Sequence, residues 1–94
     1  MLREDLKLRL LFDAFNLYKK GDLSIEKLQQ ELSNTYSLLE GNIPSKIREA
    51  ILKAEASVDS IRYTLEEPRQ HEEIIKIINR VETIVEAAYD DTQH

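Results

Sequence analysis

Apolar residues recur along this chain with the three-and-four spacing of one helical face, in four blocks separated by Gly and Pro. Leu8, Leu11, Phe12, Phe15 and Tyr18 mark the first block and predict a helix from about Arg3 to Lys20. Lys19 and Lys20 fall in its last turn, where cations suit the helix dipole, and Gly21 follows in the place of a left-handed cap. In "GDLSIEKL", Ser24 reads as the N-cap of a second helix. Leu23 and Leu28 have the spacing of a hydrophobic staple, and Glu26 lies in the favourable first turn. That helix carries Ile25, Leu28, Leu32, Tyr36 and Leu39 toward a core and stops at Gly41.

Pro44 suits the first position of a third helix, where its missing N–H costs nothing. Ile47, Ile51, Ala54, Val58, Ile61 and Leu65 form its seam, with an average period of about 3.5 residues that favours shallow left-handed packing. Pro68 ends that helix or starts the next. The fourth helix turns Ile74, Ile77, Ile78, Val81, Ile84, Val85 and Ala88 inward, with Glu72 and Glu73 in its first turn and a frayed end at "YDDTQH". Short connections make sequential helices antiparallel neighbours. The pattern therefore predicts an all-α, antiparallel four-helix bundle.

Composition narrows this further. Ninety-four residues make one domain, spanning 1–94. With 41% apolar and 33% charged residues, the chain can build a small core and is too apolar for a disordered segment. The net charge of −5 disfavours direct nucleic-acid binding and suits a basic protein partner. There is no Cys, which excludes a disulfide framework and fits the cytoplasm. No uninterrupted apolar run reaches the length of a signal peptide or a membrane span, so no membrane association is expected.

Catalytic chemistry finds no foothold. No Gly-rich loop could cradle a phosphate, and the serines have no identifiable base partner. Glu67 and His71 stand four apart, but a metal site needs several converging ligands. His71 is followed by "EEIIKII", whose acids would repel a phosphoryl group, so a phosphotransfer role fails as well. The chain is expected to be no enzyme and to carry no cofactor and no metal.

A second apolar stripe remains. At about 100° per residue, Leu6, Leu10 and Leu17 fall opposite the core face of the first helix, with Leu2 nearby. Leu52, Ala56 and Tyr63 likewise project away from the seam of the third. Either these helices are flanked on both sides by irregular packing, or the stripe mates with another chain. The second reading makes Leu6, Leu10, Leu17 and Leu52 an interface. Tyr63 beside Arg62 has the composition of an interface anchor.

The segment "LYKKGDLSIEKLQQEL" is similar to the helix, Gly-polar-Leu-Ser, helix opening of small bacterial immunity proteins of the colicin D immunity type. "VDSIRYTLEEPRQHEE" resembles the acidic, Tyr-containing segment that follows in those proteins, with a Pro among the acids. The resemblance covers Leu11–Leu39 and Val58–Glu73, and no individual toxin-contacting residue carries over. It implies a small acidic protein that binds and neutralises a cognate nuclease toxin, typically one that cuts tRNA. A nuclease cleft is basic because it holds a polyanion, so carboxylates can stand where phosphates would. On this reading the partner-binding residues are Asp59, Arg62, Tyr63, Glu66, Glu67, Glu72 and Glu73. The alternative is a self-associating structural or regulatory bundle, or an accessory subunit of a larger complex, so the protein is a monomer or a homodimer.

Overall fold

The computed structural model describes residues 3–39 and 44–92, with side chains over 8–39 and 44–88. Four helices run through them: α1 (Arg3–Lys19), α2 (Ile25–Leu38), α3 (Ser45–Thr64) and α4 (Glu67–Thr92), with no strand among the described residues.

The ends of α1 and α2 follow local chemistry. Gly21 takes φ 83°, the left-handed region that a side chain resists. Its N–H donates to Tyr18 O at 3.0 Å and that of Asp22 to Leu17 O at 2.9 Å, the paired closure of a Schellman motif. Ser24, at φ −73° and ψ 159°, caps α2 as expected: its Oγ accepts from the Lys27 N–H at 3.2 Å. α2 leaves helical geometry at Leu39, whose N–H still donates to Thr35 O at 3.0 Å. The stop expected at Gly41 lies outside the described residues.

Both prolines sit at helix starts, though not quite where the pattern places them. Pro44 is the cap before α3 rather than its first residue. Its ψ of 136° holds it outside the helix, while its carbonyl accepts from Ile47 N at 3.0 Å. Pro68 belongs to the first turn of α4, where helix amides have no intrahelical partner to lose. Because α4 begins at Glu67, the acid of its first turn is Glu67. Glu72 and Glu73, expected there, lie farther along the helix. α4 continues to Thr92, into the segment expected to fray, whose last two residues lie outside the described ones.

The core is one cluster drawn from all four helices. Leu11, Phe15, Leu28, Leu32, Ile47, Ile51, Val58, Ile74 and Ile78 are all but sealed from solvent. Each such side chain contributes about 1.5–3 kcal/mol of transfer free energy. Phe12, Ile25, Tyr36, Ile61 and Ile77 pack at its margin, half-buried. Each helix packs on the next in sequence and α1 also packs on α4, whereas among the described residues the backbones of α1 and α3, and those of α2 and α4, stay farther apart. Across α1 and α4, Lys19 Nζ meets Glu82 Oε1 at 2.9 Å. The shape is elongated, 42 × 21 × 18 Å, and α4 sets the long axis, since 26 residues span about 39 Å at helical rise.

Candidate functional site

A groove of about 430 Å³ opens where the end of α1, the start of α2, the end of α3 and the start of α4 come together. Tyr18, Ser24, Ile25, Glu26, Arg62, Tyr63, Glu67, Gln70 and His71 line it. Tyr18 comes from the last turn of α1. Its ring stacks on His71, with centroids 5.1 Å apart and 29° between the planes. Burial raises the pKa of the Tyr18 phenol above its ordinary value of 10.0 by disfavouring the phenolate.

The α3–α4 corner, Leu65 and Glu66, is held by Gln70. Its Nε2 donates to Leu65 O at 2.8 Å and to Arg62 O at 3.3 Å, with Ile61 O at 3.5 Å. Arg62 O and Leu65 O lie where α3 runs out of backbone donors, while Ile61 O also accepts from the Leu65 N–H at 3.1 Å. One side-chain amide thus fixes the angle at which Tyr63, Glu67 and His71 face the groove.

A polar strap ties α2 to α3 beside it. Gln29 Nε2 donates to Asp59 Oδ1 at 2.9 Å and to Glu55 Oε1 at 3.1 Å, and Gln29 Oε1 accepts from Arg62 Nη1 at 2.8 Å. Arg62 Nη2 lies 3.8 Å from Glu26 Oε1, and its guanidinium carbon stands 5.4 Å from the Tyr63 ring centroid. Arg62 is therefore held from α2, while Tyr63 beside it is 75% exposed. The strap borders a second open groove of about 400 Å³, and Glu26 and Arg62 wall both.

Three of the seven residues proposed for partner binding, Arg62, Tyr63 and Glu67, line the first groove, and Asp59 belongs to the strap. Glu66 is exposed at the corner. A pairing of Glu66 with Arg62 does not form, because α3 ends at Thr64 and leaves Glu66 beyond the helix that would align the two. Glu72 and Glu73 follow Glu67 by roughly 140° and 240° of helical turn and do not join it in the groove. Glu73 Oε1 instead meets Lys76 Nζ at 3.1 Å.

The second stripe is open to solvent wherever it is described: Leu10 is 58% exposed, Leu17 42% and Leu52 47%. The Leu6 side chain and the whole of Leu2 lie outside the described residues. Leu52 stands on α3, whose backbone does not approach that of α1 among the described residues, so it belongs to a different helix from Leu10 and Leu17.

Pattern reading did not find Gln29 or Gln70, whose partners lie on other helices. It placed Glu26 only as a helix-dipole residue and Tyr18 only in the core. Among the described residues no cluster of His, Asp and Glu could hold a metal ion, and no helix is long and apolar enough to cross a membrane. No family model matches the sequence, and no curated protein or solved structure matches it either, so the groove is interpreted from its own residues.

Proposed function

We propose that this protein is a binding module that docks a basic partner protein at the groove between the helix ends. The observation that carries this is Tyr63. It is a large aromatic left 75% exposed beside an Arg62 that is already fixed by Gln29 and Glu26. Tyr and Arg are the side chains that most often anchor interfaces, and an anchor held in place before binding loses little entropy on docking. The surroundings favour a cationic surface: Glu26, Glu67, Glu55 and Asp59 line or adjoin the two grooves, against Arg62.

An alternating up-down arrangement of the helices is part of this reading. Residues from the ends of α1 and α3 share the groove with residues from the starts of α2 and α4, as antiparallel neighbours require. The whole chain then acts as one domain.

The resemblance to immunity proteins of the colicin D type names the class of partner, a nuclease toxin whose basic cleft these carboxylates would occupy. The segment Val58–Glu73 that carries the likeness supplies most of the groove's α3 and α4 wall. A protein that guards tRNA works in the cytoplasm, by binding and without catalysis.

The test is co-purification from the native host, followed by growth rescue against whatever is recovered. Tyr63→Ala should weaken the complex about 30-fold, mainly through faster dissociation. Full rescue and unchanged affinity with Tyr63→Ala would remove the anchor. Self-association is a second reading, favoured by Leu10 and Leu17 exposed together on one face of α1. Light scattering on the eluting protein separates the two: a dimer abolished by Leu10→Ser with Leu17→Ser would favour it.

A further inference from the structure

We propose that the groove is a pocket for one cationic side chain of the partner, an Arg or a Lys, with the Tyr18 hydroxyl as its acceptor and Glu67 as its counter-charge. This deepens the binding-module reading and rests on it.

Tyr18 is the first observation. It is only 6% exposed, yet its hydroxyl has no hydrogen-bond partner among the described residues, where buried hydroxyls are normally paired. Among the described residues, no side-chain polar atom that is shut off from solvent lacks a partner. The hydroxyl is therefore open to the space that Tyr18 borders, and that space is the groove. The stack on His71 holds the ring in place, so a hydrogen-bonding group stands ready at the wall of the cavity.

Charge is the second observation. Two helix N-termini and two helix C-termini converge here, so their dipoles oppose one another and side chains decide the sign. The Arg62 guanidinium is engaged by Gln29 and Glu26. Glu67 has no ion-pair partner among the described residues. A guest anion would face the unpaired Glu67, whereas a guest cation would gain it. The chemistry of the walls also selects. The Tyr18 hydroxyl and the Glu67 carboxylate are polar groups that a buried apolar anchor would leave unpaired. A volume of about 430 Å³ takes a long side chain whole.

The test uses a Gly-Ser peptide with one central Arg, its citrulline counterpart of the same shape, its Glu counterpart, and free agmatine, each titrated into isotope-labelled protein. The Arg peptide should shift the ring resonances of Tyr18, Tyr63 and His71, with the citrulline peptide about 10-fold weaker. Tyr18→Phe and Glu67→Gln should each weaken the Arg peptide by about 10-fold. Glu67→Gln changes an exposed residue, so it keeps the test valid should Tyr18→Phe disturb the fold.

Shifts spread over the acidic surface and unmoved by either variant would overturn the pocket. So would tighter binding of the Glu peptide, or agmatine binding as tightly as the Arg peptide, which would make this a small-molecule site. Loss of the pocket while Tyr63→Ala still releases the native partner would leave the binding-module reading standing. Loss of both would end it.

Discussion

The amide of Gln70 sits where the carbonyls of α3 run out of helical partners, and it donates to Leu65 O at 2.8 Å and Arg62 O at 3.3 Å. Gln70→Ala should lower stability by about 1 kcal/mol, the net value of a modestly exposed hydrogen-bonding group. Gln70→Glu distinguishes two roles. The start of α4 would welcome a carboxylate through its dipole, but three backbone oxygens would face it with no proton between them. A donor role predicts that Glu is at least as damaging as Ala at neutral pH and recovers as the carboxyl protonates. Chemical denaturation across pH reads this directly, and a Glu variant as stable as the parent would show that α4's dipole governs the position. Tyr18 gives a second pH signature. Its folded pKa is raised by burial, so its contribution is complete below pH 10.0 and is lost as the pH climbs through the folded value. The parent should therefore lose stability in that alkaline window more steeply than Tyr18→Phe, with tyrosinate absorbance following the same midpoint. Equal slopes would mean that Tyr18 ionises as freely in the folded protein as in the unfolded one.

The connection between α1 and α2 is governed by Gly21 and Ser24, each acting within a few residues of itself. A Cβ added at Gly21 would meet nothing within 4 Å, so the cost of Gly21→Ala comes from its φ of 83° alone. That cost should be about 1–2 kcal/mol, and Gly21→Asn should fall between Ala and Gly because Asn tolerates the left-handed region. Thermal melts of the three proteins check the order, and a neutral Ala variant would mean that the chain can close α1 another way. Such features were legible in the sequence because a cap is written in neighbouring residues: "KKGDLS" contains both the stop and the start. The periodic apolar faces were legible for the same reason. What was not legible depended on where distant helices meet. Gln29 reads as one more polar residue of α2, and only the packing of α2 on α3 brings it against Glu55, Asp59 and Arg62. The acids near Pro68 were gathered into one turn because the start of α4 was left open. Placing that start at Glu67 sends Glu72 and Glu73 to other sides of the helix.

A net charge of −5 acts on a basic partner at two ranges, and the structure separates them. Long-range attraction depends on total charge and speeds encounter wherever the acids sit. Short-range complementarity holds the complex together only where the surfaces touch. Glu26→Lys with Glu67→Lys changes the groove, while Glu72→Lys with Glu73→Lys changes the net charge equally at residues outside it. Both pairs should slow association at low salt by similar factors. Only the groove pair should also speed dissociation, by about 10-fold or more, because it places cations against the guest cation. Raising the salt beyond physiological strength shortens the screening length to a few ångströms, so the association rates of all three proteins should converge while the dissociation difference persists. Glu26 and Glu67 each occupy a helix first turn, so their replacement should cost about 0.3–1 kcal/mol of stability apiece. Melting curves recorded alongside keep that cost apart from the binding effect. The Glu73–Lys76 pair is a solvent-exposed ion pair, and its loss should leave stability nearly unchanged. Equal dissociation rates for the two charge-reversed pairs would show that the partner does not sit in the groove. Faster dissociation for the Glu72 and Glu73 pair alone would move the interface to the outer face of α4.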